Sequence, residues 1–403
     1  LRSDVVSAFR SVDTDYTALG WLVVGGVLLV LSYYLVLTGW VFGFLLSWLG
    51  GTGTTFATFT AGWLPVGYFV VATVLTGVVV ARGVRGGIER LSNVVMPTVF
   101  ALLLGLTVYA ATLPGWGRAL DFLFTPDRTV LADPGLWSAA VGQVFFSLSV
   151  GQGIMLTYGS YVDEGTDLLR SSLLITVADI AAALLAGLVI FPIVFTFGLA
   201  PTLGTELAFT TLPTAFASMG AGRVVAVAFF GLLFFAALSS SVALLEVGVA
   251  AATNTTRLGR TRATLLLTGG VFLLGIPSAL SYSPLALAVA GTPVLDVVDE
   301  SVGTYALPVS AVLIALVFVR GVDLDPVREA LGRLYPVVRY VVPPVLVVVT
   351  GAKAACAVRP AWRLLLDGSD GGTLAALTAL LVLIVLVAVG WGLRSWLPSP
   401  RRR

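Results

Sequence analysis

Residues 137–158 read WSAAVGQVFFSLSVGQGIMLTY, an apolar run interrupted at its centre by Ser147, Ser149, Gly151, Gln152 and Gly153. In hydrocarbon every backbone N–H and C=O must be paired. Irregular backbone at that depth is tolerated only where it is buried in protein or lines a cavity. Glycine is the poorest helix former after proline. Two glycines, two serines and an amide at one depth therefore predict a discontinuous helix, with two half-helices meeting near the midplane. Free N–H groups at one half suit an anionic group, and free carbonyls at the other suit a cation. The alternative is a continuous, flexible helix whose small residues pack on its neighbours.

The composition around this stretch sets the class. The chain has 403 residues, 58% hydrophobic and 11% charged, with mean hydropathy +1.01. A soluble domain carries about 25% charged residues. Half that share, with long unbroken apolar runs, excludes a soluble enzyme, a disordered regulator and a nucleic-acid binder. It predicts an all-α polytopic membrane protein. Net charge is +2, too small to imply a polyanionic partner. There is no His, and the one Cys, Cys356, excludes an internal disulfide or a Cys-rich metal site.

Ten apolar spans are read at 20–48, 61–81, 91–113, 137–158, 171–200, 224–250, 264–281, 300–319, 340–358 and 373–393. Ten spans put both ends on one side of the membrane. With the N-terminus inside, 17 arginines fall in inner loops and five outside: Arg118, Arg128, Arg223, Arg359 and Arg363. The positive-inside rule selects that orientation, with both termini cytoplasmic. The whole chain, 1–403, reads as a single membrane domain. Residues 1–19 read as a cytoplasmic loop and not as a signal peptide. Residues 114–136 and 201–223 read as extracellular loops, the second with short helices over a pore mouth.

Intramembrane acids and hydroxyls are functional candidates because an unpaired ionisable group at bilayer depth is costly. Asp179 lies inside the span at 171–200 with no Arg or Lys within two turns. A bound cation would pair it. The alternative is a neutral Asp hydrogen-bonded to a neighbouring helix. Ala236, Ser239 and Ser240 share one helix face at i, i+3 and i+4. Two hydroxyls and a freed carbonyl would make half an oxygen cage for a hard cation such as Na⁺. The alternative is that each Ser bonds back to a carbonyl one turn earlier. Glu246, further along the same helix, reads as a structural hydrogen-bond group. Asp296 and Asp299 sit where an outer gate would lie, or where a solvated helix start would be stabilised by its dipole. The adjacent Tyr33 and Tyr34, taken alone, read as interfacial packing.

Six strings carry a family resemblance: LVLSYYLVLTGW (29–40), RGGIERLSNVVMPTVF (85–100), DPGLWSAAVGQVFFSLSVGQGIMLTYGSY (133–161), LAGLVIFPIVF (185–195), TLPTAFASM (211–219) and FFGLLFFAALSSSVALLE (229–246). They resemble the neurotransmitter:sodium symporter family, in its bacterial and archaeal amino-acid transporter branch. That family has eleven or twelve spans, the first ten forming a five-plus-five inverted repeat. By this resemblance the ten spans would be the family's third to twelfth. The first two, which supply half the ligands of both sodium sites, are expected to be absent from this chain.

The resemblance implies Na⁺-coupled symport of a small neutral amino acid or amine by alternating access, and no enzyme activity. It places Ala236, Ser239 and Ser240 at one sodium site, and Ser147 and Asp179 at the other. Val30, Tyr34, Phe146, Ser147, Ser149, Gln152, Ser240 and Leu244 match its substrate pocket. Tyr34 would hydrogen-bond the substrate carboxylate and Phe146 would lid the pocket. Asp299 matches the acid of an outer gate and Tyr161 an inner-gate tyrosine. Asn254 stands where the family often has an inner-gate Asp. Gln143 and Ala183 match positions near the chloride of animal members. A fixed carboxylate at Asp179 would do chloride's electrostatic work, so no chloride and no cofactor are expected beyond Na⁺ as coupling ion. The alternative is a non-transporting remnant, or a membrane scaffold of the same fold. An intramembrane hydrolase is disfavoured, since there is no His and Asp179 and Asp299 lie on different spans. The sequence does not set the oligomeric state.

Overall fold

The computed structural model describes residues 3–351, apart from 164, 203, 322–327 and 329–330. The spans read at 373–393 and at the end of 340–358 lie outside the described residues. Helices α1 (Val5–Val12), α2 (Thr17–Leu49), α3 (Phe56–Thr60), α4 (Leu64–Ala81), α5 (Arg90–Ala110) and α6 (Trp116–Phe124) open the chain. The interrupted pair α7 (Pro134–Ser147) and α8 (Ile154–Gly159) follows, then α9 (Leu168–Thr196). The short α10 (Gly204–Glu206) and α11 (Leu212–Ser218) precede the long α12 (Gly222–Thr255) and α13 (Arg260–Ser281). A two-residue hairpin, β1 (Ala288–Val289) and β2 (Thr292–Pro293), leads into α14 (Val294–Val298). A π-helical stretch, Asp299–Ala306, joins that to α15 (Leu307–Gly321). Eight helical segments among the described residues are long and apolar enough to cross a membrane. The α7–α8 pair is a ninth apolar segment, broken where the glycines and serines fall.

The core lies around α2, which packs most extensively on α12 and α4, and then on α1 and α13. Its residues are apolar on every face (Val30, Leu31, Leu35, Trp40 and Phe44 are all buried), as expected of a central helix in a bundle. Trp40 sits edge-on to Phe56, Phe209 and Tyr282 at 5.1–5.8 Å. The α2–α4 crossing is close because position 39 has no side chain: a Cβ there would stand 2.6 Å from the Phe69 backbone nitrogen. In a bilayer, where apolar burial drives nothing between helices, such small-residue contacts carry the packing. Across α2 and α12, Thr38 Oγ1 and Ser241 Oγ meet at 3.3 Å.

The segment read as a cytoplasmic loop at 1–19 is largely helical among its described residues. Asp4 caps α1 by accepting from the Val6 and Ser7 N–H groups at 2.9 and 3.0 Å. Val5, Val6, Ala8 and Phe9 are buried against α2, α8, α12 and α15, and Phe9 meets Phe318 edge to face at 5.3 Å. The capping Asp followed by apolar residues at i, i+1 and i+4 is the sequence signal for this two-turn amphipathic helix. Residues 201–223 do form short helices, α10 and α11, and 114–136 is part-helical through α6.

Candidate functional site

The interruption lies at 148–153. Ser149, Gly151 and Gly153 take φ of 54°, 85° and 68°, so the chain turns left-handed at every second residue between α7 and α8. Two of the three are glycine, which adopts this region without penalty; Ser149 does so at a cost. Gly151 is also the point of closest approach to α15. A Cβ there would stand 2.5 Å from the Leu307 carbonyl oxygen and 2.8 Å from the Ala311 nitrogen. The freed Gly151 carbonyl is not left bare: the Ser310 hydroxyl, on α15, donates to it. Of the two readings of this stretch, the fold adopts the discontinuous one.

The break opens a cavity of about 210 Å³ between α2, the interrupted segment and α12. It is lined by Val30, Tyr34, Phe146, Ser147, Ser149, Gln152, Ile154, Ser240, Ala243 and Leu244. All eight residues matched to a substrate pocket are there. Ile154 and Ala243 are the two that the sequence does not single out; Ile154 opens α8 directly after the break, and Ala243 shares the α12 face of Ser240 and Leu244. One wall is apolar (Val30, Phe146, Leu244) and the other carries hydroxyls and an amide.

The oxygen groups matched to the two sodium sites fall as two clusters. The Ser147 hydroxyl, at the last turn of α7, donates to Asp179 Oδ2 of α9 at 3.0 Å. On α12 the Ser239 hydroxyl donates to the Ala236 carbonyl at 2.8 Å, and Ser241 back-bonds to Ala237 at 2.9 Å. Ser240, between them, faces the cavity. The three successive serines thus divide: Ser241 turns to Thr38, while Ser239 and Ser240 stay on the face with Ala236. The Ser239 and Ser241 bonds are the back-bonds of the packing alternative; the side-chain and carbonyl groups in both clusters are all oxygen. Among the described residues no group of three or more Asp, Glu or Cys side chains gathers.

Tyr33 does not pack at an interface. It is 2% exposed and its hydroxyl lies over Gly303, as does the Asp299 carboxylate. A Cβ on Gly303 would be 2.8 Å from the Tyr33 oxygen and 3.1 Å from Asp299 Oδ1. Asp296, one turn earlier, accepts from the Tyr282 hydroxyl at 2.8 Å. Burial, and then that carboxylate, push the Tyr282 hydroxyl up to about 12, so it stays a donor at neutral pH.

At the opposite end, the Tyr161 hydroxyl donates to Glu246 Oε1 at 2.6 Å. Arg260 bridges both Glu246 oxygens at 3.0 and 2.5 Å and also reaches the Val80 carbonyl at the end of α4. Glu246 is fully buried and Arg260 28% exposed. Burial and the neighbouring carboxylate both raise the Tyr161 hydroxyl well above its ordinary value, so it too stays protonated. Glu246 therefore has the structural hydrogen-bond role expected of it. Its cationic partner was hidden among the loop arginines. Asn254 is exposed near the end of α12, away from this cluster.

A broken span opening onto an oxygen-lined cavity is the arrangement of a secondary transporter, and the sequence comparison names which. The model of the sodium:neurotransmitter symporter family matches residues 61–348. The chain belongs to this family. It is a sodium-coupled secondary transporter of the multi-pass membrane class, not an enzyme. The symporter is 31% identical over 365 residues to an uncharacterized sodium-dependent transporter of Haemophilus influenzae, covering 84% of this chain and 79% of that one. It is 36% identical over 312 residues to the uncharacterized sodium-dependent transporter YhdH of Bacillus subtilis, covering 74% and 68%. Among solved structures it is similar to MhsT in complex with L-phenylalanine. The TM-score is 0.79 at 35% identity, over 87% of this chain and 85% of that one.

Proposed function

We propose that the symporter carries a small neutral amino acid or related amine into the cell with Na⁺, by alternating access. The observation that carries this reading is the 210 Å³ cavity beside the broken helix, lined by Tyr34, Phe146, Ser147, Ser149, Gln152 and Ser240. At ~30 Å³ per water it has room for roughly seven waters, the scale of a small amino acid. No charged side chain lines it, which favours a substrate without net charge. In this reading Tyr34 takes the substrate carboxylate and Phe146 covers the pocket. Ser147 and Asp179 hold one Na⁺, and the Ala236 carbonyl with Ser239 and Ser240 holds part of a second site. Asp299 closes the outer side and Tyr161 the inner side.

In this reading the protein sits in the plasma membrane, and the arginine distribution favours both termini in the cytoplasm. With Asp179 supplying a fixed negative charge, chloride is not needed. The energetics suffice with one ion. A tenfold Na⁺ gradient gives about 1.4 kcal/mol and −100 mV adds about 2.3 kcal/mol. Together these support roughly a few-hundredfold accumulation of a neutral solute. The test is uptake by proteoliposomes across a panel of radiolabelled amino acids under an inward Na⁺ gradient. Uptake of at least one neutral amino acid that vanishes when Na⁺ is replaced by K⁺ is expected. Uptake indifferent to Na⁺ would contradict the sodium coupling, and none across the panel would favour the non-transporting alternative.

A further inference from the structure

A second concavity, on the outer surface of the bundle, is of a different kind. It measures about 480 Å³ and is lined by Leu45 of α2, Leu102 of α5 and, along α12, Arg223, Val224, Val227, Ala228, Gly231 and Phe235. Everything but Arg223 is apolar. Gly231 forms part of the floor: even a Cβ there would only just reach Leu45, at 3.9 Å. From Val224 to Phe235 the groove follows α12 for about 17 Å at ~1.5 Å per residue. Half of a ~30 Å hydrocarbon core is about 15 Å. The groove thus runs the depth of one leaflet, with its only charge at the end.

That charge is partly engaged. Arg223 Nε and one Nη donate to the Trp48 and Leu49 carbonyls, capping the C-terminus of α2. Among the described residues no carboxylate pairs with it. The other Nη faces Gly51, where a Cβ would come within 3.1 Å; the glycine leaves room there. Arg223 also sits in the first turn of the 34-residue α12, whose positive dipole end adds to the attraction for an anion.

We propose that this groove is a binding site for an anionic glycerophospholipid. An acyl chain lies along Leu45, Leu102 and α12, and the headgroup phosphate rests on the free N–H groups of Arg223. The net-negative headgroup is favoured because the site offers one uncompensated cation and no acceptor for a headgroup amine. With the orientation given above, the lipid belongs to the outer leaflet.

The test is native mass spectrometry of the full chain in detergent, titrated separately with palmitoyl-oleoyl phosphatidylglycerol and phosphatidylcholine. One phosphatidylglycerol should be retained, roughly fivefold more tightly than phosphatidylcholine, as one basic side chain near a headgroup supplies. Arg223→Gln should bring the two lipids level. Because Arg223 also caps α2, Gly231→Leu provides an independent variant. It fills the groove, leaves the cap intact, and should lower retention of both lipids while gel filtration stays unchanged. Glycerol phosphate, which has the charge without the chain, should not compete. Equal retention of the two lipids by the unaltered protein, or phosphatidylglycerol retention untouched by Gly231→Leu, would overturn the proposal. So would a dimer, or a cross-link from residue 228 to residues 352–403, that excludes lipid.

Discussion

Asp179→Asn is the sharpest perturbation of the sodium assignment, because it removes charge and keeps shape. The Ser147 hydroxyl donates to Asp179 Oδ2 at 3.0 Å, and the Asn amide oxygen can accept the same bond. Folding and the local geometry should therefore survive. A cation held between these groups would lose the attraction of a full negative charge. At ~4 Å and an effective dielectric of ~20 that attraction is about 4 kcal/mol. Asp179 is only partly buried, so solvent screening reduces the figure to about 2–3 kcal/mol. The half-saturating Na⁺ concentration should rise by roughly 30- to 150-fold. The assay is a Na⁺ titration of substrate uptake in proteoliposomes at constant ionic strength. Gel filtration and a thermal midpoint serve as folding controls. A titration displaced by less than about threefold (~0.65 kcal/mol) would mean that Asp179 packs and does not bind the ion.

Other outcomes follow from the same geometry. Ser239→Ala with Ser240→Ala should raise the Na⁺ requirement, since two oxygens leave the Ala236 face; an unmoved titration would assign those hydroxyls to packing alone. Arg260→Gln strands a fully buried Glu246 and should cost about 3 kcal/mol. Glu246→Gln strands an arginine that is 28% exposed and still bonded to Val80, and should cost less, about 1–2 kcal/mol. Equal thermal midpoints for the two variants would contradict the burial argument. Gly151→Ala forces a side chain onto φ 85° and into the Leu307 carbonyl and should lower the midpoint, whereas Gly25→Ala, with open space around it, should not. Replacing chloride with gluconate should leave uptake unchanged; a severalfold loss would remove the electrostatic role given to Asp179.

Much of this architecture is legible in the residues, for a physical reason. A membrane helix has few excuses for glycine and serine at one depth, so SLSVGQG announces its own break and the left-handed turns at 149, 151 and 153 follow. The cavity wall on α12 is legible for a similar reason, since Ser240 and Leu244 are one turn apart beside a run of three serines in an otherwise apolar stretch. What hides is pairing across elements. Tyr33 and Tyr34 are neighbours, but successive helical residues point about 100° apart. Tyr34 therefore lines the cavity while Tyr33 goes to Gly303 and Asp299. Arg260 looks like one more inner-loop arginine until the α12–α13 turn brings it back onto Glu246. Helix α1 spans only about two turns, so its signal is no more than the Asp4 cap and three apolar positions, and its burial against four helices is what shows that it belongs to the bundle.

Linkage offers the most direct test of the central claim, that ion and substrate share one site at the broken helix. Equilibrium binding of radioactive Na⁺ to the purified symporter should be measured with and without a transported amino acid, for the native protein and for Ser147→Ala with Asp179→Asn. Binding free energies are reciprocal, so the amino acid should lower the Na⁺ concentration needed for half-occupancy several-fold in the native protein and leave the double variant unmoved. Na⁺ binding indifferent to the amino acid, or equally sensitive in both proteins, would contradict the account.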